Sequence, residues 1–240
     1  MRETFVNVTF ALLWVSLSFA PSVALSSNDA SISVLPPKRV GVVSLLGESF
    51  HGIGMGLTRF GNVDYSPQVP DWRIDSDAAS FLLSALSSRG CSASLLDIEP
   101  KRAEDFFLKG HADDPNLVEL RRMAADRGFD TVLVVVGAPD AHVSTIQPDY
   151  GLFEQGAFGI HNVYPYAMFR VTVLDVSTGK EFASKYAYAT GGRDKAIPWK
   201  TNLDEYSEDE RSLIKKAIEE HVHGEMTRIL DAMKILPSAH

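Results

Sequence analysis

The sequence predicts one α/β domain with a mixed sheet, flanking helices, a β-hairpin in its C-terminal half and a long C-terminal helix. Three observations support this fold class. Short apolar runs alternate with segments of helical spacing in the first half of the chain. A turn at Ser177–Gly179 joins two strand patterns. The last helix has a capping box at Ser207–Glu210, and its apolar face reaches Met233.

The amino end has the layout of a secretory signal peptide. The stretch Phe5–Ala20 is apolar apart from small or weakly polar residues, and Ser22–Ala24 is a small-x-small cleavage site. We expect 1–24 to be cleaved, because the run is shorter than the ~20 apolar residues of a spanning helix. Retention as an anchor is the alternative, since Glu3 cancels the charge of Arg2. The sequence predicts a periplasmic or secreted protein with no transmembrane segment after cleavage.

The first part of the mature chain is a small, polar lead-in at 25–37, which we interpret as a flexible linker. The single domain is then expected over 38–236, about 200 residues, a size that supports one core. It opens with a buried strand at Val40–Leu46. A glycine-interrupted strand within 47–62 and a loop with two prolines at 63–71 follow.

Helical spacing continues through Ala78 to Leu86, with Asp75 or Asp77 as the expected N-cap and Gly90 in the C′ position. A strand over 91–97 and a short helix over 101–109 are expected next. After these elements we expect a helix from Asp114–Pro115 to Gly128 and a central strand at Thr131–Val136. The two hairpin strands are expected at Tyr166–Val176 and Lys180–Thr190, followed by the last helix and a tail at 237–240.

Composition excludes several classes of function. The formal net charge is −8 and no Lys/Arg cluster occurs, so we expect no nucleic-acid partner. Cys91 is the single cysteine, which rules out an internal disulfide and favours a small buried residue. His221 and His223 are two apart on a helix and point to different faces, and the other histidines are scattered, so we expect no metal. No cofactor is expected either.

Four segments together carry a resemblance to known proteins: Arg39–Val43, Leu86–Gly90, Ala125–Val134 and Val171–Gly179. In these patterns the chain resembles the N-terminal domain of the Tol-system propeller protein and the curli-secretion-type lipoproteins, with their relatives that activate cell-wall synthases. The resemblance implies a non-enzymatic assembly or regulatory role in the bacterial envelope. Two departures are the missing lipidation cysteine and the segment 47–72, which has no counterpart.

The glycine-rich segment after the first strand is the best enzymatic candidate. Gly47–Ser49 resembles the Gly-Asp-Ser-Leu block of SGNH (GDSL-type) esterases, which places the nucleophilic serine at Ser49. This hypothesis needs Asp140 as orienting carboxylate and His142 or His161 as base. Glu48 and Pro139 replace residues of the family pattern, so an ordinary turn serine is the favoured interpretation. The glycines of 47–61 lack a Walker lysine and predict a strand or bulge rather than a phosphate loop.

Aromatic residues in the long loops suggest a partner surface, because aromatic side chains bury much area with few rotors. The favoured hypothesis is therefore a non-catalytic accessory or assembly protein that binds an envelope protein. The expected partner-binding residues are Phe60, Trp72, Tyr150, Phe153, Phe158 and Trp199.

Overall fold

The computed structural model describes residues 39–56, 62–98, 115–138, 149–157 and 160–234. All of them belong to the second of the two parts into which the chain divides, 32–240. The expected signal peptide, linker, tail and helix over 101–109 lie outside the described residues. None of the helices in these described ranges is both long and apolar enough to cross a membrane.

One mixed sheet organises the described residues, as the sequence predicts. Its strands are β1 Arg39–Leu45, β2 Phe50–Met55, β3 Val63–Tyr65, β4 Ser92–Leu95, β5 Thr131–Gly137, β6 Asp149–Ala157, β7 Ile160–Asp175 and β8 Glu181–Thr190. The helices that flank it are α1 Ile74–Ser88, α2 Pro115–Asp126 and α3 Glu208–Ala232. The strand order is β3-β2-β6-β7-β5-β1-β4, and β8 pairs with β7 as well.

The long strand β7 is the spine of the sheet. Both β5 and β6 pair antiparallel with it, one after the other along its length. The last residue of β5, Gly137, lies opposite Phe169, and the first residue of β6, Asp149, lies opposite the neighbouring Met168. The strands β1 and β2 lie parallel to β5 and β6 in the same way. Beside β7, the strands β5 and β6 thus follow one another in line, with a break between them. In the next position of the sheet, β1 and β2 follow one another in the same way, and their break lies beside the first.

The core lies on both faces of this sheet. Strand residues of alternating parity face α1 and α3 on one side, where Phe50, Leu82 and Ile218 belong to the largest apolar cluster. On the other side α2 covers the β5 end of the sheet, where Leu120 and Val134 belong to a second apolar cluster. A small third cluster of Ile53, Tyr166 and Met168 occupies that second face near β2 and β6. Successive side chains of a strand point to opposite faces of the sheet, so each strand contributes residues to the core on both sides.

Several element boundaries follow their local signals. The capping box of α3 is present, since the Ser207 hydroxyl accepts from the Glu210 amide and the Glu210 carboxylate accepts from the Ser207 amide. Gly90 ends α1 with a φ of +80°, as the C′ position requires. The hairpin turn places Gly179 at a φ of +72°. These three predictions are confirmed. Each concerns a feature that is set by residues close together in the sequence.

Three predictions need correction. The N-cap of α1 is Arg73, with a φ of +54° and no side-chain cap, so neither Asp75 nor Asp77 caps the helix. The segment 63–71 contains the short strand β3, because it pairs with β2. Residues 150–157 belong to strand β6 instead of a loop, since pairing to both β2 and β7 outweighs the glycines of that segment.

Candidate functional site

The break between β1 and β2 is held by side chains from three other segments. Asp75 of α1 accepts a hydrogen bond from the Leu46 amide at 2.8 Å. The Tyr150 hydroxyl donates to the Gly47 carbonyl at 3.4 Å, and the Gln68 amide donates to Ser49 Oγ at 2.8 Å. Burial raises the pKa of Asp75, and the bond from Leu46 opposes this shift. The break is a fixed loop between neighbouring elements.

Ser49 is not brought together with His161. The strand register places Phe50 opposite Tyr150 but His161 opposite Gly156, so the two candidates lie near opposite ends of β6. At ~3.3 Å per residue, that separation is about 20 Å. The His161 ring bonds instead to the buried Glu154 carboxylate at 2.9 Å.

Asp140 and His142, the other residues of the esterase hypothesis, lie outside the described residues. A pairing of Ser49 with His142 therefore stays a prediction. Within the described ranges, Ser49 Oγ accepts a hydrogen bond from the side-chain amide of Gln68, which is neither a base nor a carboxylate.

A serine, a histidine and an aspartate do meet beside the strand breaks, and we call them the His51 cluster: Ser66, His51 and Asp149. Ser66 Oγ lies 2.8 Å from His51 Nδ1, and His51 Nε2 lies 3.9 Å from Asp149 Oδ2. Ser66 is exposed, whereas the His51 side chain is 11% exposed and that of Asp149 24%. The three come from β2, the start of β6 and the residue after β3.

The space beside His51 contains a second buried polar group. His51 pairs with Gly151, which in turn pairs with Tyr166, so no side chain separates the two rings along this row. Both His51 Nε2 and the Tyr166 hydroxyl are buried without a hydrogen-bond partner. Burial raises the pKa of Tyr166 far above its ordinary range, and the charges of Asp149 and Asp64 add to the shift.

Asp149 has an unfavourable backbone conformation. Its φ is +81°, in the left-handed region that costs a residue with a side chain on the order of 1 kcal/mol or more. Gly137 makes room for it, because a Cβ at that position would collide with Asp149 Oδ1. Strain of this kind persists where the surroundings hold a side chain in place.

Sequence reasoning missed this cluster. The sequence shows His51 only as one of several scattered histidines, whereas the structure buries it. Alternation in 50–55 would have placed His51 on one face of a strand, but nothing local pointed to Ser66 or Asp149. Their approach depends on the pairing of β2 with both β3 and β6.

The expected partner-binding aromatics divide between core and surface. Tyr150 is 1% exposed and belongs to the core, because its parity matches that of Phe50. Trp72 is half-buried against Phe50, with ring centroids 5.2 Å apart. Trp199 is half-buried over Gly54 and lies 6.1 Å from the Tyr65 ring. Phe60 and Phe158 lie outside the described residues.

Phe153 keeps a surface position. It is half-buried on the second face of the sheet, and its ring centroid lies 6.4 Å from that of Tyr164. On the same face, the Arg170 guanidinium lies 5.9 Å from the centroid of the Tyr186 ring. We call these four residues the aromatic face. The packing of α1 and α3 is on the opposite side, and α2 packs at the β5 end.

The remaining candidates have structural roles. His223 bonds to Asp77 at 2.7 Å and stacks on Phe81 at 4.2 Å, which ties α3 to α1. Cys91 is buried, and burial raises its pKa although Arg89 opposes the shift. Over the ranges that the structure describes, no group of three or more His, Cys, Asp or Glu residues is arranged to hold a metal.

Comparisons with known proteins return distantly similar solved structures but no family. No family model matches the chain, and no curated protein matches its sequence. The PelC dodecamer from Paraburkholderia phytofirmans is 13% identical, with 80% of this chain and 89% of that chain covered at a TM-score of 0.33. Lipoprotein GNA1162 from Neisseria meningitidis is 14% identical, with 81% and 99% covered at a TM-score of 0.36. The LpoB C-terminal domain from Salmonella enterica is 12% identical, with 68% and 89% covered at a TM-score of 0.31.

The resemblance to the Tol-system and curli-secretion proteins stays a prediction. The functional argument therefore depends on the residues of this chain alone.

Proposed function

We propose that this protein is an exported accessory or assembly protein of the bacterial envelope that acts through protein–protein contacts. The amino-terminal signal pattern supports export, and the net charge of −8 disfavours nucleic acid as the partner. The observation that carries the proposal is the aromatic face, where two pairs of half-exposed groups lie on one side of the sheet, about 20 Å apart along β7.

The chemistry of this face suits a contact surface. Phe153 and Tyr164 are neighbours across β6 and β7, and Arg170 and Tyr186 are neighbours across β7 and β8. Tyr, Phe and Arg are enriched in the centres of protein interfaces. The aromatic rings bury large areas with few rotatable bonds, and the guanidinium group offers five hydrogen-bond donors. Strand pairing holds these four side chains on a rigid support, which reduces the entropy lost on binding.

A double substitution on this face tests the proposal. We expect Phe153→Ser with Tyr164→Ser to abolish recovery of cross-linked envelope partners from cells that naturally produce the protein. The matched control is Leu95→Ser with Val118→Ser, since these apolar residues are 50% and 49% exposed on β4 and α2. Both double variants should keep the circular dichroism spectrum of the parent. Recovery of the same partners with the first double variant would contradict the proposal.

A further inference from the structure

We propose that the His51 cluster is a nucleophilic site, with Ser66 as the nucleophile, His51 as its base and Asp149 as the carboxylate that orients the base. Its substrates would be small carboxylic esters. This activity goes beyond the contact role and does not depend on it. The inference rests on the geometry of three residues that three separate strand segments bring together.

The first step of the argument is the contact between nucleophile and base. Ser66 Oγ and His51 Nδ1 are 2.8 Å apart, which is hydrogen-bond distance. A serine hydroxyl becomes a useful nucleophile only when a base in contact removes its proton. Ser66 is exposed, so an ester in solution can reach its hydroxyl. Ser49 differs, because its hydroxyl oxygen accepts a hydrogen bond from the Gln68 side-chain amide, which cannot act as a base.

The second step concerns the far side of the imidazole ring. When Nδ1 accepts the Ser66 proton, the ring hydrogen of neutral His51 is on Nε2, which faces Asp149 Oδ2 at 3.9 Å. A carboxylate there favours this tautomer and stabilises the imidazolium that forms. The separation is about 1 Å longer than a hydrogen bond, as is often found before substrate binds.

The third step is that the cluster departs from ordinary structural packing. His51 Nε2 is buried without a hydrogen-bond partner, a state that native proteins avoid elsewhere. Asp149 is held at a φ of +81°, and Gly137 leaves the space that its carboxylate occupies. Orphaned polar atoms and strained residues concentrate at functional sites. Here both occur in the same group of residues.

The reaction then follows the usual course of acyl transfer. Ser66 Oγ bonds to the carbonyl carbon of the ester while its proton passes to His51 Nδ1. The ester C–O bond breaks, and the same proton leaves with the alcohol. Water attacks the acyl-serine next, returning the acid and the free Ser66 hydroxyl. Asp149 belongs to the cluster and Asp64 is paired with Ile53, two residues from His51 on the same face of β2, so we expect neutral or cationic esters to be preferred over anionic ones.

The test uses the full chain and a fluorophosphonate probe. Attack by Ser66 would form an Oγ–P bond and release fluoride, and peptide mass spectrometry would find the adduct on Ser66. We expect Ser66→Ala to abolish labelling and His51→Gln to slow it by about 100-fold or more, the usual contribution of a general base. Ser80→Ala is the matched control, since Ser80 is an exposed serine on α1. It should be labelled at the parental rate.

Asp149 needs a measurement that a purely structural role would not explain. With p-nitrophenyl acetate, we expect Asp149→Asn to lower kcat by about tenfold or more and to leave KM unchanged. Unlabelled parent protein, an adduct on Ser49 or another residue, or parental labelling of His51→Gln would overturn the proposal. Because Ser66 is exposed, Ser66→Ala should fold normally, so equal ester turnover by it and the parent would also overturn the proposal. None of these outcomes changes partner recovery through the aromatic face.

Discussion

At the scale of single residues, the glycines of β2 and β6 allow close approach of other groups. Added Cβ atoms at Gly52 and Gly54 would collide with the rings of Tyr65 and Trp199, which lie against the bare backbone. Gly151 is closer still, because a Cβ there would overlap the His51 carbonyl group. The glycines of β2 and β6 thus serve packing between strands and rings, and Gly137 of β5 leaves the space that Asp149 of the His51 cluster occupies.

Gly151→Ala should therefore destabilise the protein. The added methyl group meets backbone, which cannot move aside as a side-chain tip can, so we expect a loss of about 1–3 kcal/mol in the free energy of unfolding. Gly224→Ala is the control, because Gly224 is exposed on α3 with open space around its Cα. That substitution should stabilise by ~0.5–1 kcal/mol through helix propensity. Urea denaturation compares them, and equal shifts would show that β2 and β6 are not in close contact here.

At the scale of elements, α3 has a hydrogen-bonded polar first turn and an apolar face along the rest of its length. The Lys200 ammonium bonds to the Glu210 carboxylate at 2.6 Å, so the preceding segment is attached to the first turn of the helix. Further along, Ile214, Ile218 and Val222 are buried at intervals of one turn. The capping box fixes where the helix starts, and the stripe fixes which face packs on the sheet.

The two side chains of the capping box should contribute differently to stability: that of Ser207 at neutral pH, and that of Glu210 in a way that depends on pH. Ser207→Ala should lower the free energy of unfolding by about 1 kcal/mol at neutral pH. The Lys200 ammonium, followed by the Ser207 amide, lowers the pKa of Glu210 below its ordinary value of 4.5. A lowered folded-state pKa gives stability that is complete above 4.5 and lost as the pH falls through the folded value.

Glu210→Gln should remove that acid-sensitive component. Thermal unfolding followed between about pH 6 and pH 3 should show a smaller loss of stability in this variant than in the parent. Some acid sensitivity should remain, because bonds from Ser177 and Thr178 lower the pKa of Asp175 in both proteins. Identical pH profiles would mean that the Lys200–Glu210 bond does not contribute to folding in solution.

At the scale of the whole molecule, one apolar cluster connects the two ends of the interrupted sheet. The largest apolar cluster joins residues of β1, β2, β5, β6 and β7 to both α1 and α3. On the face covered by α1 and α3 this cluster spans the strand breaks, since Val42 and Phe50 on either side of the first break belong to it. We therefore expect both ends of the sheet to unfold together.

Two probes can test this cooperativity. In a chain that begins at Leu25, the expected mature start, the remaining tryptophans are Trp72 and Trp199, which both pack near β2. Their fluorescence reports on the β2 end, whereas far-ultraviolet circular dichroism is dominated by the helices. Denaturant curves from the two signals should coincide. An earlier fluorescence transition would show that the β2 end unfolds separately from the rest.

The sequence by itself determined the features that depend on neighbouring residues. The capping box of α3, the glycine that ends α1, the hairpin turn at Gly179 and the α/β class with a mixed sheet were all predicted and confirmed. Each depends on local hydrogen bonds, backbone dihedral angles or side-chain periodicity. The same local signals could identify Cys91 as a buried residue.

Only the tertiary structure decided which distant residues meet. It turned an expected aromatic loop into β6, buried Tyr150, separated Ser49 from His161, and brought Ser66 and Asp149 to His51. The physical reason is that strand pairing is non-local. A register shift of one residue reverses the face of every side chain, and no neighbouring residue in the sequence records which register forms.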